Sequence, residues 1–133
     1  MIELKNKFGI VYYKGEYDAQ NGWVHTQWIG FVPAEFSIKG VEGTLQLLKE
    51  SGCGKLLSDN SKIKGAWGDT NDWLEKHWFE KASALGLRKH ATVLPADLFS
   101  QSSHEQFEKS QKGSTILMKN FESTAAASTW LKS

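Results

Sequence analysis

The stretch KLLSDNSKIKGAWGDTNDWLEKHW, residues 55–78, joins a short apolar run to a tryptophan-bearing run through a polar, glycine-punctuated connection, and its reading decides the fold. Lys55 to Ser58 is too short and too apolar for anything but an internal strand. Asp69 and Thr70 are both good helix N-caps, and Asp72 adds favourable charge to the first turn. Trp73, Leu74, His77, Trp78, Ala82 and Leu85 then mark one broad face over four turns, which predicts a helix closed by Gly86. A buried strand that feeds a helix points to a layered α/β arrangement.

The flanking sequence extends this alternation. FGIVYY, from Phe8 to Tyr13, is β-branched and aromatic, and WVHTQWIGF, from Trp23 to Phe31, places Val24, Thr26 and Trp28 on one face at period two. Between these two strands, Gly15 and the Asn21-Gly22 pair suit a hairpin reversal with a loop longer than the tightest type. Pro33 fits the first turn of a helix, and Ile38, Val41, Leu45 and Leu48 recur at spacings of three and four, which predicts a helix ending near Ser51 with Gly52 in the left-handed position. KHATVLP predicts a fourth strand ended by Pro95. A short turn or helix around Asp97 to Phe99 and a Ser-capped helix from about Ser103 to Gln111 follow. STILMKNF reads as the last strand and ESTAAASTWLKS as the last helix, with Ala125, Ala126, Trp130 and Leu131 packing back on the sheet. The expected architecture is a mixed sheet of about five strands, an antiparallel hairpin first and parallel strands after it, covered by helices.

A chain of 133 residues with 40% hydrophobic and 12% aromatic residues is the size of one domain, large enough to bury about two thirds of its unfolded surface. Sixteen basic residues balance fifteen acidic ones, for a formal charge of +1. That balance supplies no field to draw in nucleic acid or an anionic membrane. The N-terminal residues place charges within and around a short apolar run, so neither a secretory signal nor a membrane span is expected, and a cytoplasmic protein is. A single cysteine, Cys53, cannot form an internal disulfide, in keeping with a reducing compartment.

In open sheets of this kind, sites collect where loops leave the carboxyl ends of parallel strands. Asp59, Asn60 and Ser61 fall there, and Asp97 would stand at the next such end, so these residues could together hold an anion or a metal. Asp, Asn and Ser are also the residues that turn chains by bonding their own backbone, and two acids without a third ligand make a poor metal site, so the turn reading is preferred. Cys53 follows a helix C-terminus, where the dipole raises a thiol pKa, and reads as a small space-filling residue. His25, His77, His90 and His104 show no ligand spacing, and His77 reads as a half-buried residue at a core edge. Gly40 and Gly43 share one side of the first helix and suggest a close approach to the sheet or to a second subunit. Of six tryptophans, Trp78 and Trp130 read as core. Trp67 and Trp73 are candidates for a contact surface, because rigid aromatic rings give large contact area at little entropy cost.

The segments KLLSDNSK, WLEKHWFEKASALGLRKHATVLPADLF and FESTAAASTWLKS, in this order, resemble the bacterial STAS-like proteins, in particular the SpoIIAA-like or STAS/SEC14 group. The similarity runs from Trp28 onward and is most specific in the Trp-x4-Trp-Phe helix and the strand ending Val-Leu-Pro. It implies a single STAS-like domain over residues 1–133, an α/β sandwich acting in protein interaction, with no cofactor and no enzymatic activity generally expected. In the anti-sigma factor antagonists of this fold, a serine or threonine at the start of the second sheet-covering helix is phosphorylated and controls binding to a partner kinase. The matching place is Gly68-Asp69-Thr70-Asn71, so Thr70 is the phosphate position by resemblance, and Asp69 and Ser61 are kept with it as a candidate phosphate or anion site. The usual Asp-Ser-Ser-Gly pattern is not present, and capping by Thr70 or Asp69 is the preferred reading. The implied surface takes in Asp59, Asn60, Trp67, Asn71, Trp73, His77 and Asp97. It faces an unknown protein partner or a second copy of the chain. The SEC14 side of the resemblance implies, as the alternative, a carrier of a small apolar or lipid-like ligand; a small enzyme using Cys53 or the Asp59 and Asp97 carboxylates is the third and least favoured reading, resting on strand-end geometry alone.

Overall fold

The computed structural model describes residues 1–30, 34–63, 71–95 and 116–133. Within them, six strands form one sheet in the order of the chain: β1 (Ile2–Lys5), β2 (Val11–Asp18), β3 (Trp23–Gly30), β4 (Lys55–Ile63), β5 (Lys89–Val93) and β6 (Leu117–Phe121). The β1–β2 and β2–β3 pairs are antiparallel and the remaining three are parallel. Helices α1 (Ala34–Ser51), α2 (Asn71–Ala84) and α3 (Thr124–Lys132) complete the described elements. The mixed α/β sheet is thus as expected, with one strand more.

The extra strand is β1. Its inward Ile2 and Leu4 alternate with exposed Glu3 and Lys5, a pattern with only two apolar residues to declare it. Phe8, Gly9 and Ile10 lie outside β2 and in the β1–β2 connection, because Asn6 Oδ1 accepts from the N–H groups of Phe8 and Ile10 and Gly9 takes a positive φ of 77°. The next reversal is shorter than expected. Asp18 gathers the N–H groups of Gln20 and Asn21, Gly22 turns at φ 80°, and the strands pair out to Asp18 and Trp23. Gly15 belongs to β2, where an added Cβ would meet the Tyr13 hydroxyl and Leu47.

Two layers of helix cover the sheet. On one face Val24 and Leu56 pack with Leu45, Leu47 and Leu48 of α1 and Trp78 and Ala82 of α2. On the other, Trp23, Leu57, Ala91, Val93 and Phe121 pack with Ala127 and Leu131 of α3. Ala125 and Ala126 are exposed instead of packed, because the Ser123 cap, which accepts from the Ala126 N–H at 3.2 Å, sets the helix phase so that Ala127 and Leu131 face inward. Gly52 and Gly86 end α1 and α2 with φ of 66° and 100°.

Candidate functional site

β4 does not end at Ser58. It runs to Ile63 and carries Asp59, Asn60 and Ser61 inside the strand, which corrects their expected position in a turn. What the turn chemistry produces is a bulge. Gln27 pairs with Asp59 and Ile29 with Lys62, so β4 spends three steps where β3 spends two. Bulges are rare in parallel pairs and mark places where a strand is re-aimed. Asp59 is buried, and its Oδ1 receives the Ser61 N–H at 3.0 Å and the Ser61 hydroxyl at 2.6 Å. Asn60 Oδ1 accepts the Ser58 hydroxyl at 2.8 Å. The bond from the Ser61 N–H is the local side-chain-to-backbone pattern of turn residues, and the other two join side chains two residues apart, all closed here inside a sheet.

The bulge lies beyond Val93, where β5 stops pairing with β4, so it stands at the carboxyl end of the parallel strands. Strand directions bring the β1–β2 connection to the same end, since β1 runs with β3 and ends there. Its Phe8 and Ile10 are 76% and 60% exposed, and Lys7 Nζ sits 5.4 Å over the Phe8 ring. The backbone is closed on itself: besides the two bonds to Asn6 Oδ1, the Asn6 N–H donates to the Ile10 carbonyl and the Gly9 N–H to the Asn6 carbonyl. A rigid apolar tip therefore stands at the end of the sheet where the bulge sits. Sequence reasoning missed this tip because Phe8 and Ile10 read as strand.

Of the remaining candidates, Trp67, Asp69, Thr70, Asp97 and His104 lie outside the described residues, and Asn71 and Trp73 are placed only as backbone in the first turn of α2. His77 is half-buried on α2. Ser61 is brought to Asp59 by the bulge and is itself exposed. Cys53 is half-buried, its thiol donating to the Lys55 carbonyl at 3.3 Å with the Ser51 hydroxyl at 3.4 Å, a seated structural contact. Among the described residues, no group of three His, Cys, Asp or Glu side chains comes together. Gly40 makes its close approach to the sheet: a Cβ there would overlap the Trp28 ring. Burial raises the Tyr13 hydroxyl to about 12 and lowers His90 to about 4. Among the described residues, His90 Nδ1, Trp78 Nε1 and His25 Nε2 are enclosed without a hydrogen-bond partner.

No family model matches the chain, and no curated protein matches it. Among solved structures it is similar to the crystal structure of an uncharacterised protein of the DUF3478 family with a SpoIIAA-like fold from Shewanella loihica. The two share 16% identity with a TM-score of 0.58, over 90% of this chain and 91% of that one. The fold is SpoIIAA-like. Among the described residues no helix is long and apolar enough to cross a membrane.

Proposed function

We propose that the chain is a non-enzymatic, cytoplasmic interaction module of STAS-like fold that presents the carboxyl end of its sheet to a protein partner. The observation that carries this reading is the Phe8–Ile10 tip: two exposed apolar side chains on a backbone whose amides are already bonded, at the end of the sheet that also holds the bulged Asp59-Asn60-Ser61 segment. An apolar side chain on a pre-organised turn loses little entropy on docking, which is how small contact areas become useful. The polar groups nearby are engaged with one another: Asp59 is occupied by Ser61 and Asn60 by Ser58. That supports recognition over turnover.

The test is the double variant Phe8→Ser with Ile10→Ser. Both side chains are exposed, so folding should be unchanged by circular dichroism. A partner recovered by native co-purification, identified by mass and then purified, should bind the variant at least about tenfold more weakly, a loss of roughly 1.4 kcal/mol. Equal binding removes the tip from the proposed surface. For Thr70, intact-mass analysis of protein from its native cell decides between a phosphorylated switch and a cap: a phosphate adduct in any growth state supports the former. The alternative reading, carriage of an apolar ligand, asks for an apolar lining. The α1/α2 face carries Thr26, Ser58, Thr92 and Asn120 abreast over the carboxyl half of the sheet, which weighs against such cargo.

A further inference from the structure

Strands covered on both faces normally read as continuous Val, Ile and Leu. On the α1/α2 face one line across this sheet departs from that. Thr26 pairs with Ser58, Ser58 with Thr92, and Thr92 with Asn120, so four hydrogen-bonding side chains stand side by side at the strand spacing of about 4.8 Å. Thr26 and Ser58 are 1% and 7% exposed, and Thr92 and Asn120 are half-buried, so the line runs from the interior towards the β6 edge. The neighbouring row towards the amino ends holds His90, between Leu56 and Met118. Its ring meets Trp78 of α2 edge-on, with centroids 5.8 Å apart at 61°.

Among the described residues each of these two rings keeps an enclosed nitrogen with no hydrogen-bond partner, Trp78 Nε1 and His90 Nδ1, while His90 Nε2 lies 3.4 Å from the Thr92 hydroxyl. Trp78 is 8% exposed. Burying an indole N–H with no acceptor forfeits its hydration outright, so an orphan of this kind marks the place of a missing partner. Two orphans on facing rings, beside a row of hydroxyl and amide groups, make one polar locus between α2 and the sheet.

We infer that Trp78, His90, Thr92 and Ser58 form the binding site of a small uncharged molecule that carries both hydrogen-bond acceptors and donors, a carboxamide or polyol in chemical class. The indole N–H donates only, so the molecule must supply an acceptor. The Ser58 hydroxyl has its hydrogen on Asn60 Oδ1 and keeps lone pairs to accept with, so the molecule carries donors as well. The row and its neighbour hold no Lys, Arg, Asp or Glu, so nothing in them compensates a charge on the ligand, and a bare buried charge is costly. The imidazole is neutral there, its pKa held at about 4 by burial. This inference is independent of the protein-partner reading, which uses the exposed tip.

The experiment uses the full chain labelled with nitrogen-15. The Trp78 indole resonance is assigned by its loss in Trp78→Phe, and acetamide and glycerol are titrated separately as probes. At least one should move that resonance along a saturable curve, and Thr92→Val, with an unchanged melting temperature, should weaken the binding about tenfold or more. A crystal structure grown without either probe should show multi-atom density at Trp78 Nε1. A resonance unmoved by both probes, a shift that survives Thr92→Val undiminished, or a single ordered water at Trp78 Nε1 overturns the site.

Discussion

At the residue scale, the hydrogen bonding of Tyr13 fixes a direction that distances alone leave open. The Thr44 hydroxyl lies 2.6 Å from the Tyr13 hydroxyl and donates to the Gly40 carbonyl at 2.9 Å. With its one hydrogen used there, Thr44 accepts, and Tyr13 donates. Burial pushes the Tyr13 hydroxyl up to about 12, so it stays protonated and remains a donor across the physiological range. The two ends of this bond are therefore unequal. Thr44→Val keeps the shape but strands a fully buried phenol with no acceptor, at a cost of about 1–3 kcal/mol. Tyr13→Phe removes the donor and leaves Thr44 still bonded to Gly40, for about 0.5–1.5 kcal/mol. Urea unfolding of both single variants and the pair should find the pair more stable than Thr44→Val alone. Additive losses would mean that the hydroxyls do not share this bond.

At the element scale, α1 lies over β2 and β3 so closely that two glycines three residues apart have opposite meanings. An added Cβ gains helix propensity of about 1 kcal/mol at either position. At Gly40 it would overlap the Trp28 ring, which is itself held edge-on to Tyr13 at 4.8 Å, so Gly40→Ala should lose about 1–3 kcal/mol or more through overpacking. At Gly43 it would meet Ile2 and Tyr13 at 3.6 Å, ordinary contact. Gly43→Ala should be neutral or stabilising, raising the melting temperature by about 2–4 °C at most. A fall in both variants would place α1 differently. The sequence shows that both positions are small and leaves their difference unread, because Trp28 reaches Gly40 only through the packing of the finished sheet. The same divide runs through the fold. The phase of α1, the caps at Gly52 and Gly86 and the β2–β3 hairpin are local signals and are legible, whereas the phase of α3 is not, since Ala125 and Ala126 read as inward and are exposed. β1 was not, since two apolar residues separated by charges become a strand only when β2 is there to pair with. Asp59-Asn60-Ser61 shows its turn chemistry locally, but the resumption of β4 at Lys62 and Ile63 depends on pairing with β3. The orphan nitrogens of Trp78 and His90 likewise arise from a helix meeting a strand register, which no local pattern records.

At the scale of the whole molecule, His90 couples the closure of the α2 layer to pH. His90 is half-buried as a residue, but Leu56 and Met118 across the sheet are apolar, the Trp78 ring closes over it and the Thr92 hydroxyl stands 3.4 Å from Nε2, so folding takes the imidazole from water into a place that disfavours its charged form. Desolvation lowers its pKa from the ordinary 6.5 to about 4. Between those values the unfolded chain binds a proton that the folded chain does not, so stability falls as pH falls through this window. Above about 6.5 the folded state keeps the full contribution, and below about 4 this group causes no further loss. The slope inside the window is at most about 1.4 kcal/mol per pH unit. Asp18, whose carboxyl is held below its usual range by hydrogen bonds from Asn21 and Gln20, acts in the same sense but only at lower pH, as it becomes protonated. The two are separated by range, so urea unfolding between pH 7.5 and pH 5 reads His90. His90→Gln, which cannot take up a proton, should unfold with a flatter dependence over that range even if it is less stable throughout. Parallel curves for the two proteins would show that His90 is as readily protonated in the folded chain as in water, and that the Trp78 layer does not seal it.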